Sequence, residues 1–361
     1  MENILSDPSP SLSLPLPAPQ GSLRWRRLAP LGRRLLSVLL TLLGLLLLTF
    51  VIGRVMPLDP VLAIVGPDAD KSTYEQVFRQ LGLDRPLPVQ FGYYLRDLLH
   101  GDLGHALLTG NKVTEDIARV FPATMEIATL AILFGACVGI PLGVYAATRR
   151  GTLADHLVRV VSLFGYSTPV FWFGMMGLLV FYAWLGWAGG AGRVDLAFDG
   201  LVPPASGLLL LDSAMAGEWE VFRSALKHVT LPACILGLHS MAYISRMTRS
   251  FMLAQLSQEY ILTARVKGLS ERGVVWHHAF RNILVQLLTI VALAYGSLLE
   301  GAVLIETVFA WPGFGQYLTS SLLLGDMNAV MGCVLVVGVI FITLNLLSDA
   351  LYQVFDPRTR R

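Results

Sequence analysis

The chain has 361 residues, of which 54% are hydrophobic and only 14% are charged, and its formal net charge is +2. Soluble domains carry about 25% charged residues, so this chain has too little polar surface to coat a water-soluble globule of its size. The composition indicates an integral membrane protein, and the small net charge gives no support to nucleic-acid binding.

The first 30 residues are predicted to form a disordered cytoplasmic tail, because residues 1–22 are rich in Pro and Ser and show no hydrophobic periodicity. Five arginines between Arg24 and Arg34 precede the first apolar run, at residues 35–53. A signal peptide has an apolar core of about 7–15 residues and a small-residue cleavage site. This run is longer and lacks such a site, so we predict a permanent first span.

Six apolar stretches approach the length of about 20 residues that a membrane-spanning helix requires. The predicted spans are residues 35–55, 123–148, 157–187, 229–247, 283–305 and 329–355. The fold class is therefore an all-α integral membrane protein with six transmembrane helices. Pro141, Pro169 and Pro232 fall inside spans, where proline kinks a helix and frees backbone carbonyls.

The distribution of Lys and Arg predicts the orientation of the spans. With both termini in the cytoplasm, 17 of the 27 basic residues lie inside and 10 lie outside. Short cytoplasmic loops carry an excess of Lys and Arg, and both predicted termini are therefore cytoplasmic. Residues 56–122 then form a periplasmic segment, in which residues 74–83 and 89–101 have the pattern of short amphipathic helices.

Residues 259–284 form a polar, basic segment between the fourth and fifth spans. Helix-forming residues flank a Gly268-Leu269-Ser270 break, so two short cytoplasmic helices with a turn between them are predicted. Ala264 and Gly268 are four residues apart and are expected to present a small face to a partner, with Arg265 and Lys267 at its rim.

Catalytic and metal sites have little support. The chain has no G-x-x-x-x-G-K-[ST] phosphate loop and no G-x-S-x-G or H-E-x-x-H motif, so no catalytic, cofactor-binding or metal residue is predicted. Among ionisable residues within spans, Glu126, Asp349 and His239 are interpreted as structural. Glu300 is deep in the fifth span and is the best candidate for lining a polar cavity.

The segment EYILTARVKGLSER, residues 259–272, resembles the cytoplasmic signature loop of permeases of binding-protein-dependent ABC importers. It is most similar to the peptide and nickel branch and to the B-type subunit. Further blocks resemble this family in the same order along the chain: residues 101–113, 122–131, 139–147, 167–174, 305–315 and 349–360. The resemblance covers the chain from about residue 30 onward.

The resemblance implies a transmembrane domain over residues 31–361, with a coupling loop at 250–282 and an outer gate or binding-protein dock at 306–328. It implies that the loop contacts an ATPase, and the residues assigned to this coupling are Glu259, Tyr260, Thr263, Ala264, Arg265, Lys267, Gly268 and Arg272. The residues assigned to the pathway or outer gate are Glu300, Glu306, Trp311, Pro312 and Gly313.

The implied partners are a homologous C-type permease, two ABC ATPase subunits that hold ATP and Mg²⁺, an extracytoplasmic solute-binding protein and membrane lipid. The chain itself would be no enzyme, and it would sit in the bacterial inner membrane. Peptides are the leading cargo, and nickel or another metal chelate of the opine type is the alternative. An ion-coupled secondary transporter is a remote alternative, since only Glu300 is suitably deep and no internal repeat occurs.

The sequence departs from the family pattern at three places. Gln286 stands where the family usually has proline, and Glu300 stands where it more often has a small residue. Residues 189–207 match no family block closely. The sequence therefore makes no prediction of substrate from these positions.

Overall fold

The computed structural model describes residues 23–55, 60–66, 68–80 and 82–355. The chain divides into two compact units, Met1–Gly44 and Leu45–Arg361, within the first helix. Every later helix lies in the second unit. Most of residues 1–30, the predicted tail, lie outside the described residues, although the first helix already begins at Leu23. The last six residues of the chain, 356–361, also lie outside them.

The described residues form helices and connecting turns, without a β-strand. In chain order the α-helices are α1 (Leu23–Val55), α2 (Pro60–Val65), α3 (Lys71–Gln80), α4 (Leu87–Leu99), α5 (Val113–Thr148), α6 (Leu153–Ser167), α7 (Val170–Gly177), α8 (Leu209–Ala216), α9 (Trp219–Leu256), α10 (Glu259–Val266), α11 (Glu271–Gly273), α12 (Phe280–Val308), α13 (Phe314–Leu323) and α14 (Met327–Phe355). The prediction of an all-α membrane protein is confirmed, and α3 and α4 confirm the two short helices predicted before the second span.

Five continuous helical stretches are long and apolar enough to cross a membrane. They are Leu36–Gly53, Val113–Thr148, Trp219–Leu256, Glu271–Val308 and Met327–Leu346. The stretches that begin at Val113 and Trp219 start well before the predicted span starts at residues 123 and 229. A helix can continue past the hydrocarbon layer once its polar residues reach water, and hydropathy alone does not register that extension.

The third predicted span is not a straight helix. α6 and the stretch Val170–Trp184, which ends in a π-helical turn, meet at an angle of 96°, and together they provide the sixth candidate span. Thr168 is extended, with ψ 134°, since the ring of Pro169 disfavours helical geometry in the residue before it. Pro169 thus breaks this span, whereas Pro141 and Pro232 lie inside continuous helices.

α5 and α9 make the most extensive contact of any helix pair in the described part of the chain. Three glycines of α5, Gly135, Gly139 and Gly143, recur every four residues and face α9. A Cβ added at Gly139 would lie 2.8 Å from the carbonyl oxygen of Met241, and one at Gly143 would lie 2.6 Å from that of Ser245. The absence of side chains lets the two backbones approach, as small residues spaced by four do in membrane helix pairs.

Candidate functional site

α10 is held against the ends of three long helices. Ile261 and Ala264 are buried in a cluster with Val144 of α5, Met252 of α9 and Ile283 of α12. Their burial fixes one side of α10 to the transmembrane helices, so that α10 moves with them rather than as a free loop.

Tyr260 adds a polar connection at the same place. Its hydroxyl donates to Oε1 of Gln255 at 2.8 Å and accepts from Nδ2 of Asn282 at 2.9 Å. One side chain of α10 therefore links the end of α9 to the start of α12.

The turn after α10 depends on a glycine. Gly268 has φ +79°, in the left-handed region that side chains other than glycine disfavour. Glu271 then pairs with Arg265 across the turn, Nε to Oε1 at 2.9 Å, and the hydroxyl of Ser270 accepts from the backbone N–H of Gly273 at 3.3 Å. The predicted break at Gly268–Ser270 is therefore present.

The prediction of two separate short helices is wrong for the second one. α11 continues through a π-helical stretch, Val274–Ala279, directly into α12. The predicted loop 250–282 includes the last two turns of α9, which runs to Leu256. The polar residues of this segment extend the two spans instead of forming a separate hairpin, which leaves α10 as the only short helix between them among the described residues.

The outward side of α10 carries apolar side chains. Leu262 is 63% exposed and Val266 is 80% exposed, and these two lie four residues apart on one face of the helix. Leu269 and Trp276 are exposed nearby in the chain. Exposed apolar side chains clustered at one end of a protein mark an interaction surface. We call Leu262, Val266, Leu269 and Trp276 the α10 surface.

The structure places the predicted coupling residues on both sides of α10. Glu259, Thr263, Arg265, Lys267 and Arg272 are exposed, as is Gly268. Ala264 is only 6% exposed and packs toward the transmembrane helices. The prediction that Ala264 and Gly268 share an open face is therefore wrong for Ala264. A helical wheel of residues 259–266 separates Leu262 and Val266 from Ile261 and Ala264, but it does not say which pair faces inward.

At the opposite end of α12, Glu306 is fully buried. Its Oε1 accepts from the Thr124 hydroxyl at 2.5 Å, and its Oε2 accepts from the backbone N–H of Gln316 at 3.0 Å. The Thr124 hydroxyl also accepts from the N–H of Phe314 at 2.8 Å. These N–H groups belong to the first turn of α13, where the helix leaves donors unpaired and carries partial positive charge. Glu306 and Thr124 together cap α13.

The position of the Glu306 carboxylate restricts which residues can follow it in the chain. A Cβ on Gly313 would lie 2.5 Å from the carboxylate carbon of Glu306, so a glycine is needed there. Trp311 is 1% exposed, and its Nε1 donates to the carbonyl of Ala123 at 3.0 Å. Glu306 and Trp311 are buried and are therefore not part of an exposed docking surface, and their assignment to an outer gate stays a prediction. Pro312 is exposed and borders an open cavity on this side of the molecule.

The segment 189–207, which resembled no family block, is anchored by an ion pair. Arg193 lies 2.5 Å from Oε2 of Glu126, and its Nη2 also donates to the carbonyl of Gly207 at 3.1 Å. Oε1 of Glu126 accepts from the N–H of Leu210 at 2.8 Å. The structural interpretation of Glu126 is confirmed, since this carboxylate ties the segment to α5.

Asp212 stabilises the end of the same segment. Its carboxylate accepts from the N–H groups of Ala205, Ser206 and Gly207 and from the Ser206 hydroxyl, at 2.6–3.2 Å. Burial by itself raises the pKa of Asp212, but these hydrogen bonds outweigh it and hold the pKa below its ordinary value of 3.8.

We expect Asp212→Asn to lower the unfolding free energy at neutral pH by about 1–3 kcal/mol, because the amide cannot accept all of these bonds. A lowered pKa in the folded state stabilises the protein above pH 3.8, and this stabilisation is lost as the pH falls through the folded value. Thermal unfolding in detergent should therefore show a gap between wild type and variant that closes in acid. A gap of constant size would contradict this role, and Asp199→Asn, on the exposed part of the segment, is the matched control.

The other ionisable residues predicted within spans are Glu300, His239 and Asp349. Glu300 borders an apolar cavity of about 240 Å³ formed mainly by α12, α13 and α14. His239 lies on α9, where its ring stacks on Tyr166 with centroids 5.0 Å apart. Asp349 lies in the last part of α14, outside the residues whose side chains are described. Glu300 and His239 line different cavities.

Comparison with known proteins decides the family. Residues 139–361 match the family described as binding-protein-dependent transport system inner membrane component, and residues 28–128 match the N-terminal membrane component of such systems. The chain belongs to this family. This permease is 43% identical over 333 residues to the probable D,D-dipeptide transport system permease protein DdpB of Escherichia coli K12, an alignment that covers 92% of this permease and 97% of the relative.

Two further relatives show the same extent of similarity. The di/tripeptide transport system permease protein DppB of Pseudomonas aeruginosa is 41% identical, over 91% of this permease and 98% of the relative. The dipeptide transport system permease protein DppB of Escherichia coli K12 is also 41% identical, over 91% and 97%. The predicted resemblance to B-type ABC importer permeases is confirmed, and so is a multi-pass protein of the bacterial inner membrane.

A permease of this family is a transport component and belongs to no enzyme class. Such systems contain a partner permease, an ATPase and a solute-binding protein in general. The sequence prediction omitted the apolar residues of the α10 surface and the hydrogen-bond partners Gln255 and Asn282. The spacing of Leu262 and Val266 inside a polar segment was the signal that could have identified the surface.

Proposed function

We propose that this permease forms half of the translocation pathway for peptides across the inner membrane, together with a homologous C-type permease. Two ATPase subunits on the cytoplasmic side would bind ATP and Mg²⁺ and supply the energy, and a solute-binding protein would deliver the cargo from outside. The chain itself would hydrolyse nothing. Both termini and α10 would then lie in the cytoplasm, in agreement with the excess of Lys and Arg on that side.

The role of α10 in coupling is inferred from the different environments of its two sides. Its buried side is locked to α5, α9 and α12, and its outward side exposes Leu262 and Val266. A rigid helix with an exposed apolar face can dock into a groove of an ATPase and transmit its movement. Exposed Lys267 and Arg272 at the rim would set partner choice and the encounter rate more than affinity.

The cargo is inferred from the relatives, which are named for dipeptides and tripeptides. Those names favour peptides over nickel or a metal chelate. The remote alternative of an ion-coupled transporter has no support from Glu300, because no other residue that lines its apolar cavity, among those the structure describes, is ionisable.

Uptake by the reconstituted transporter tests the cargo. Proteoliposomes that contain this permease with its partner permease, ATPases and binding protein should accumulate a labelled dipeptide or tripeptide only when ATP is present. We expect excess unlabelled peptide to reduce uptake at least tenfold and a nickel–histidine chelate to leave it unchanged. ATP-dependent uptake of the chelate, without uptake of peptide, would contradict the proposal, and uptake driven by an ion gradient without ATP would contradict the mechanism.

A further inference from the structure

Two neighbouring cavities with polar side chains in their lining lie between α6 and α9. One cavity, of about 520 Å³, lies near the α10 end, and the second, of about 180 Å³, lies deeper, between α6, α9 and α12. Tyr166 of α6 borders both cavities. We call these two cavities together the α6–α9 crevice. It contains none of the residues that the sequence assigned to the pathway.

The side of α9 that faces the crevice is polar at helical spacing. His239, Tyr243, Arg246 and Ser250 are separated by four, three and four residues, which places them on one face of the helix. Polar and charged side chains within a span are costly in lipid, and they face a bundle interior or a water-filled cavity that serves a solute. A stripe of four such positions indicates a lining, whereas a single one would be explained by local packing.

The break of the third span lies beside the same crevice. Tyr166 is two residues before Thr168, where α6 ends and the chain turns by 96° into α7. Non-helical backbone at membrane depth is tolerated only where it is buried in protein or lines an aqueous cavity. The position of this break beside Tyr166 and His239 is a second observation, independent of the stripe, that favours a hydrated crevice.

Three arginines line the crevice, Arg159, Arg246 and Arg249, and two of them pair with Asp155. Asp155 is buried and binds Arg249 through two hydrogen bonds, at 2.6 and 2.9 Å, with Arg159 at 3.9 Å. Arg246 has no carboxylate partner among the residues that the structure describes. Its guanidinium instead lies 4.9 Å from the ring centroid of Tyr166 and 6.0 Å from that of Tyr243. This leaves donors of an exposed arginine free for an anion.

We propose that Arg246, flanked by Tyr166 and Tyr243, binds the C-terminal carboxylate of a peptide as it passes through the α6–α9 crevice. Guanidinium and carboxylate form paired, charge-assisted hydrogen bonds, and the stacked rings hold the guanidinium in place. His239 and Ser297 extend the polar lining beyond this point and offer hydrogen bonds to backbone amides. The site deepens the proposed function and depends on peptides being the cargo.

An anionic lipid headgroup could make the same charge-assisted hydrogen bonds to Arg246 and is the competing occupant of this site. A headgroup at the membrane interface would reach Arg246, at the cytoplasmic end of the predicted span 229–247, but it would leave the deeper part of the crevice at His239 unoccupied. This depth favours a solute that crosses the membrane.

The first test compares cargoes in the reconstituted transporter. Wild type should transport a dipeptide with a free carboxylate at least tenfold faster than the same dipeptide amide at low concentration. Arg246→Gln should lose most of this preference, and Arg246→Lys should retain part of it. An unchanged preference in Arg246→Gln would overturn the proposal. The proposal would also be overturned if Arg246→Gln kept the preference for the free carboxylate but lost a bound anionic phospholipid, as measured by native mass spectrometry. A wild-type complex that transports no peptide would instead refute the proposed function.

The second test requires no peptide cargo. In a variant without cysteines, with Cys137, Cys234 and Cys333 replaced by alanine, a thiol is introduced by Ser250→Cys. A sulfonate-bearing methanethiosulfonate should modify it at least fivefold faster than an ammonium-bearing one, and Arg246→Gln should abolish that difference. Val160→Cys, on α6 outside the crevice, is the control and should react slowly with both. Equal rates at Ser250→Cys before Arg246 is changed would overturn the anion site.

Discussion

Replacing Leu262 and Val266 together by glutamate is expected to reduce uptake by at least thirtyfold while the permease still inserts into the membrane. Both side chains are exposed on α10, so the change should alter the unfolding free energy by no more than about 0.5 kcal/mol. In a complex they would face a buried groove, where loss of an anchoring apolar residue costs about 2 kcal/mol or more, which corresponds to about thirtyfold in affinity. Uptake of labelled peptide and co-purification of the ATPase subunits measure the two effects.

The choice of these positions follows from the burial of Ala264. Ala264→Arg would place a charge in the cluster under α10 and would unfold the segment, so loss of activity would not report docking. Leu99→Glu is the matched control, since Leu99 is exposed at the end of α4, and its uptake should equal that of wild type. Full ATPase co-purification with the Leu262→Glu/Val266→Glu variant would show that the α10 surface is not the docking site.

Glu306→Ala is expected to lower the unfolding free energy by about 3–5 kcal/mol. The change leaves the Thr124 hydroxyl and the N–H of Gln316 without acceptors in a site that water does not reach. Each unpaired buried donor costs about 1–3 kcal/mol, so the loss of the acceptor for two donors accounts for the expected range. Thermal unfolding of the detergent-purified permease should show the change as a large drop in the midpoint temperature.

Two variants separate the cap from a general effect of losing a carboxylate. Glu306→Gln keeps an acceptor oxygen and should cost less than half as much as the alanine variant. Glu220→Ala removes an exposed glutamate of α9 and should stay within about 0.5 kcal/mol of wild type. If Glu306→Ala were as stable as wild type, the carboxylate would not be what holds the start of α13.

Several features of the fold could be predicted because they depend on local properties of the chain. The apolar stretches, the basic surplus at residues 246–281 and the turn signal at Gly268 each act over a few residues. The glycine stripe of α5, at residues 135, 139 and 143, is visible in the sequence, but the sequence does not show which helix the glycines face. The sharp bend at Thr168 was only half predicted: Pro169 indicated a kink, but a kink and a 96° break differ in how the neighbouring helices pack.

The sequence by itself determined that this is a membrane protein with a basic segment near α10, since hydropathy and charge distribution are properties of the chain. Only the tertiary structure decided which side of each element is buried. It placed Ala264 inward and Val266 outward, placed Glu306 at the first turn of α13 as a helix cap, and gathered Tyr166, Tyr243 and Arg246 into one crevice. The physical reason is that burial and pairing of a side chain depend on residues far away in the chain, which meet it only when the helices pack.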